Sequence, residues 1–140
     1  LYVDKLMLTC HVDHPLAQAR EVSWQSLVDE PLILMRHGSG LRSLVDKTIS
    51  KWCKHLQPAY EVSQVATALG LVAEGEGVSI LPSYAISRAQ AATQALSIAT
   101  VALVGPVVER EIVALIPTTA EPSVAVDALI EHFKKHAGKY

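Results

Sequence analysis

With 140 residues, half of them hydrophobic, the chain can bury a core as one globular domain or two small lobes, which excludes a disordered tail. Its formal charge is −2 and its Lys and Arg are scattered, so no basic stripe is available to neutralise a nucleic-acid backbone. No charged, apolar leader opens the sequence and no apolar run reaches the length of a spanning helix, so a cytoplasmic setting without membrane contact is expected.

The apolar run Leu6 to Cys10 follows polar Asp4 and Lys5 and stops at His14-Pro15, which predicts a buried strand. Ser23 offers an N-cap to a short helix carrying Trp24, Leu27 and Val28. Pro31 ends that helix and opens Leu32 to Met35, whose lack of alternation is typical of a parallel strand covered on both faces. After Gly38-Ser39-Gly40, apolar residues at Leu41, Leu44, Val45, Thr48, Ile49, Trp52 and Cys53 step by three and four and predict an amphipathic helix. Both cysteines, Cys10 in a strand and Cys53 on the inner face of this helix, are expected as free buried thiols.

Pro58 precedes a strand over Ala59 to Val62, which runs through Ser63 into a helix carrying Val65, Leu69 and Val72 and closed by Gly75. Gly77 leads into the buried strand Val78 to Leu81, with Pro82 placed for a first helical turn. Ala85 to Ala102 has few large side chains, Ser97 to Leu103 reads as an extended crossover, and a lobe boundary is expected there. A strand over Arg110 to Pro117 and a helix striped by Ala125, Val126, Leu129, Ile130 and Phe133, capped near Ser123, complete the chain. Alternating strands and helices with short connections predict an α/β fold with a doubly wound, mainly parallel sheet.

In such a sheet the helices start at the carboxyl ends of the strands, so their free N–H groups gather on one side. Two strand-to-helix turns, Arg36-His37-Gly38-Ser39-Gly40 and Val62-Ser63-Gln64-Val65, each put a serine at or near an N-cap. If their strands are parallel neighbours, both helix starts face one crevice and suit a small anion. Gly38 and Gly40 would let a ligand approach the backbone, and Arg36 could hold a carboxylate with two hydrogen bonds. The competing reading is that each serine only stabilises its own helix, by about 1 kcal/mol.

Other combinations carry less. His132 and His136 share a helix face without a third ligand, and Cys10-His11 with His14 lacks zinc spacing, so no metal or other cofactor is expected. No nucleophile elbow or phosphate loop is present, and no carboxylate stands isolated among apolar residues, so no enzymatic machinery is expected.

The segments His14-Pro15-Leu16-Ala17, Gly38-Ser39-Gly40-Leu41-Arg42 and Glu61 through Pro82, in this order and spacing, resemble the effector domain of LysR-type transcriptional regulators. Gly105-Pro106, Arg110-Glu111-Ile112 and the final amphipathic helix extend the resemblance over nearly the whole chain. It implies a two-lobed fold like that of type 2 periplasmic solute-binding proteins, with a small, organic-acid-like effector held between the lobes. Residues 1–11 would be a crossover strand from lobe one, 12–86 a complete second lobe, 87–103 the returning crossover and 104–140 the return to a partial lobe one. Effector contacts would fall on Arg36, Gly38, Ser39, Ser63, Gln64, Val65 and Pro82.

The resemblance further implies a homo-oligomer, dimer or tetramer, that meets DNA only through an N-terminal helix-turn-helix outside this sequence. The chain opens on Leu1 and is expected to be a piece of a longer protein, which leaves Ile112 to Leu115 and the Leu129, Ile130, Phe133 stripe without partners of their own. The alternatives are a solute-binding receptor of a transport system, which would carry an export signal upstream, and an enzyme such as prephenate dehydratase on the same fold, which would need a placed acid or base.

Overall fold

The alternation of buried side chains along the strands sets two apolar layers, one on each face of a single sheet. The computed structural model describes residues 1–92, 97–116 and 123–136, with side chains omitted over 89–92. In β3 (Leu32–Met35), Leu32 and Leu34 face one layer and Ile33 the other. The first layer gathers Leu6 and Leu8 of β1 (Tyr2–His11), Val22 of β2 (Glu21–Ser23), and Trp24 and Leu27 of a 3-10 turn, with Val45 and Ile49 of α1 (Gly40–Ile49). The second gathers Val62 of β4 (Tyr60–Val62), Ala68, Leu69 and Val72 of α2 (Val65–Ala73), Leu81 of β5 (Val78–Pro82) and Ile86 of α3 (Ser83–Ala92). Helices thus cover both faces, and the sheet is doubly wound as the sequence predicts.

β6 (Ile98–Val104) and β7 (Glu109–Ile112) complete seven strands among the described residues, and α4 (Val124–His136) closes the chain. The spatial order is β2-β6-β1-β5-β3-β4. β3 pairs in parallel with β4 and β5, and β2 with β6, while β1 runs antiparallel to β5, β6 and β7, so the sheet is mixed where the sequence predicts a mainly parallel one, because the long β1 runs against its neighbours. β1 is long enough to serve two neighbourhoods: Tyr2 to Lys5 pair with β7, and Leu6 to His11 with β5 and β6.

Several expectations need correction. α1 stops at Ile49, so Trp52 lies exposed and Cys53 half-buried in the turn beyond instead of on an inner helical face. The helix stops there although Trp52 and Cys53 continue the apolar step, because the core layer that α1 covers ends at Ile49. Pro82 is the last residue of β5 and the helix begins one residue later. The helix after β5 runs to Ala92, so the first part of the segment 87–103 is helical, and β6 falls where Ser97 to Leu103 reads as extended. The last strand ends at Ile112 instead of running on, and Pro117 lies outside the described residues. β2 is a three-residue edge strand that the sequence reading does not contain. Val113, Leu115, Leu129 and Phe133 are exposed, Leu115 by 92%, as expected for apolar residues without partners in this chain.

Glycines separate two kinds of constraint. A Cβ on Gly77 would collide with the Pro31 carbonyl oxygen, the acceptor that the Val78 amide reaches at 3.0 Å, whereas Gly70 on α2 has open space. Gly77→Ala is therefore expected to lose about 2 kcal/mol or more of stability. Gly70→Ala should instead gain roughly 0.5 to 1 kcal/mol from helix propensity, and urea unfolding of both variants checks the opposite signs. Burial pushes the Cys10 thiol pKa up, with a smaller contribution from Glu30. In native thiol labelling Cys53 should react first and Cys10 only on unfolding.

A crevice at the carboxyl ends of two parallel strands

The β3–β4 register runs Ile33 opposite Tyr60, Leu34 opposite Glu61 and Met35 opposite Val62. Beyond the last pair, the Arg36 amide donates to the Val62 carbonyl at 2.9 Å, so both chains leave the sheet at the same level. The turn after β3 swings to the layer that holds α1, and those after β4 and β5 to the layer that holds α2 and α3. In open α/β sheets such a parting of connections is where a crevice outside the strand ends carries small ligands.

The two helix starts are built differently. Ser39 is the N-cap of α1, and its Oγ accepts from the Arg42 amide at 3.1 Å. Gly38 before it has φ +86°, a left-handed conformation that glycine adopts without steric cost. In α2 the N-cap is Gln64, which makes no side-chain cap hydrogen bond, and Ser63 stands one residue earlier, exposed. The first-turn amides of α2 are thus unanswered by any capping side chain, and the Ser63 hydroxyl makes no hydrogen bond among the described residues.

Charge is distributed unequally between two arginines. Arg42, only 2% exposed, places Nε 2.8 Å from Asp46 Oδ1, Nη1 3.3 Å from the Met35 carbonyl and 3.6 Å from Glu61 Oε1, and Nη2 3.1 Å from His37 Nε2. Guanidinium can only donate, so His37 Nε2 is the acceptor there. These partners tie the end of β3, the glycine turn, α1 and β4 together, and they neutralise the Arg42 charge. Arg36 is exposed, and its side chain has no ion pair or hydrogen bond among the described residues.

The sequence-predicted residues fall in two groups. Arg36, Gly38 and Ser39 lie on one turn and Ser63, Gln64 and Val65 on the adjacent one, while Pro82 ends β5 on the other side of β3. A cavity of 440 Å³ opens elsewhere, lined among others by Tyr2, Asp4, Ser83, Tyr84 and Phe133; it touches none of the seven residues, although Ser83 follows Pro82. A second, of 340 Å³, lies behind Arg42 between α1 and residues 53–57.

Sequence reasoning missed Arg42 and Asp4. Arg42 stands on the otherwise buried face of α1, in step with Val45 and Ile49, and that periodicity was the available signal. Asp4, which stands beside Lys5 in the sequence, is 2% exposed and bonded to Arg110, Ser83 and the Tyr84 amide. No group of three or more His, Cys, Asp or Glu that could hold a metal occurs among the described residues, and no helix there is long and apolar enough to cross a membrane.

A doubly wound sheet whose connections part between β3 and β4 has the topology in which small ligands are held at strand ends. Comparison with known proteins narrows the class: residues 1–138 match the LysR substrate binding domain, and the chain belongs to that family. It is 38% identical over 107 residues to the uncharacterized HTH-type transcriptional regulator YbhD of Escherichia coli, covering 76% of the chain and 32% of that protein. To the HTH-type regulator BenM of Acinetobacter baylyi it is 36% identical over 85 residues, covering 57% of the chain and 28% of that protein. The structure of the BenM effector binding domain with benzoate superimposes with a TM-score of 0.67 at 26% identity, over 99% of this chain and 62% of that one. The Synechocystis CcmR regulatory domain in complex with 2-PG gives 0.74 at 17% identity, over 97% and 64%. The chain thus spans about a third of each curated relative, and its fold is the type 2 periplasmic-binding-protein-like fold of LysR effector domains.

Stability should separate the structural from the spare side chains. Ser39→Ala is expected to cost about 1 kcal/mol through its lost cap, and Ser63→Ala to stay within about 0.5 kcal/mol. Arg42→Met should cost roughly 2 kcal/mol, less than a fully buried pair because Asp46 and Glu61 remain part-exposed. Chemical denaturation of the three variants checks the order.

Proposed function

We propose that this chain is the sensing part of a cytoplasmic transcriptional regulator and that it holds a small organic anion in the crevice between the Ser39 and Ser63 turns. The observation that carries the reading is the pairing of β3 and β4 in parallel, which sets two helix starts side by side. Each start offers unpaired amides and the positive end of a helix dipole, and together they favour a negative group. Ser63, Gln64 and the Val65 amide would bind from one turn, and Gly38, the Ser39 turn and the unpaired Arg36 from the other. Pro82 would border the crevice from β5.

Two lobes would close on the effector, residues 12–86 forming the second and 104–140 returning to the first, with crossovers at 1–11 and 87–103. Effector bound more tightly in one lobe arrangement would shift the population toward it, and a homo-oligomer would pass that change to DNA-binding helices elsewhere in the protein. Binding alone suffices for this role; no catalytic group or cofactor is invoked. A regulator is favoured over a transport receptor because the relatives are HTH-type regulators. Anionic effectors fit the benzoate and 2-PG that two structural neighbours hold.

Calorimetry on the full-length protein with acetate, benzoate, 2-PG and other small acids, alongside uncharged analogues, tests the proposal. At least one acid should bind, and Ser63→Ala should weaken it about tenfold, the scale of one hydrogen bond to a charged group. Equal affinity in wild type and Ser63→Ala, or binding of uncharged analogues only, would overturn the assignment.

A further inference from the structure

Asp4 sits where β1 passes from one neighbourhood to the other. Its register partner on β7 is Arg110, and two residues later Leu6 pairs with Pro82 of β5. The carboxylate is used on both sides of this junction. Oδ2 accepts from Arg110 Nε at 3.1 Å, while Oδ1 accepts from Ser83 Oγ at 2.7 Å and from the Tyr84 amide at 3.3 Å. Arg110 also lies 5.3 Å from the centre of the Tyr84 ring. One buried carboxylate thus joins the β1–β7 arm to the first turn of α3, the helix that begins immediately after Pro82.

A buried carboxylate is stable only while its donors are in place, and these donors come from two bodies. Rotation of the arm against the sheet would carry Arg110 away from Ser83 and Tyr84 and leave part of the charge unanswered. Along β1 itself the backbone ladder passes continuously from β7 to β5 and β6, and the segment before β7 is tied to it by the Leu6 amide on the Val108 carbonyl at 3.0 Å. The side-chain clasp adds a charged link between Arg110 on the arm and the first turn of α3.

We propose that Asp4 is the positioning residue of this junction: it holds the β1–β7 arm at one angle to α3 and Pro82, and loosening it widens the range of angles without unmaking the sheet. As a statement about lobe motion, this rests on the two-lobe reading above. The clasp ties effector closure to arm position, because α3 and the bordering Pro82 move with the donors of Asp4.

The test measures the angle directly and needs no effector, so it stands or falls separately from the anion site. In the full-length protein carrying Cys53→Ser, spin labels are placed through Lys47→Cys on α1 and Glu111→Cys on β7, both exposed positions, and the labelled protein is diluted with excess unlabelled protein. Pulsed electron resonance should give one narrow distance distribution, at least twofold broader in Asp4→Asn and in Arg110→Gln. Amide hydrogen exchange of β3, β4 and β5 should stay within twofold of the parent. Unchanged widths in Arg110→Gln would overturn the proposal even if Asp4→Asn does not fold. So would broadening accompanied by loss of protection throughout β3 to β5, which would make Asp4 only a support of the sheet.

Discussion

The parallel pairing of β3 with β4 is the constraint from which the rest of the site follows. Three register pairs and the Arg36 amide on the Val62 carbonyl bring two chain exits to one level. Parallel neighbours require a crossover helix between them, here α1, and the next crossover, α2, must return on the other face to reach β5. Two helix N-termini at one edge are thus a consequence of winding, before any side chain is specified. Shifting β4 by one residue would also exchange Val62 with Glu61 and expose an apolar side chain in place of a charged one, so the register is held by burial as well.

Side-chain charge then sorts the edge into fixed and free parts. Arg42 lies inside with its charge met by Asp46 and Glu61, and it binds the turn, the helix and the neighbouring strand together. Arg36, four residues beyond the start of β3, is exposed and available. The same division holds for the serines: Ser39 spends its hydroxyl on the first turn of α1, and Ser63 keeps its own. At the carboxyl end of β5, Asp4 repeats the device of a buried charge with several donors, now between elements instead of within one turn. Buried polar groups of this kind are costly unless every partner is present, so they mark the positions whose geometry is most tightly specified.

Much of this was legible in the residues. The apolar run Leu32 to Met35, and Val78 to Leu81 broken only by Ser79, betray strands covered on both faces, and Gly75, with φ +78°, ends α2 where a left-handed residue is needed. The two turns could be placed on one edge because strand, helix and strand follow each other with short links. The end of α1 could not be read, because Trp52 and Cys53 continue the apolar step beyond the point where the core stops. Nor could the roles of Asp4 and Arg42. The partners of Asp4 lie 79 to 106 residues away, and for Arg42 only Glu61, on β4, is distant, so only the folded chain brings these pairs together. Exposure of Leu129 and Phe133 on α4 was readable in advance as a stripe with nothing in this sequence to cover it.

The most direct measurement is an amide chemical-shift map of the isotope-labelled protein titrated with whichever small acid binds it most tightly. The account predicts the largest changes at the amides of Gly40 to Arg42 and of Gln64 to Thr67, saturating together with one affinity. Changes centred instead on Tyr84 and the lining of the 440 Å³ cavity, with both helix starts silent, would contradict it.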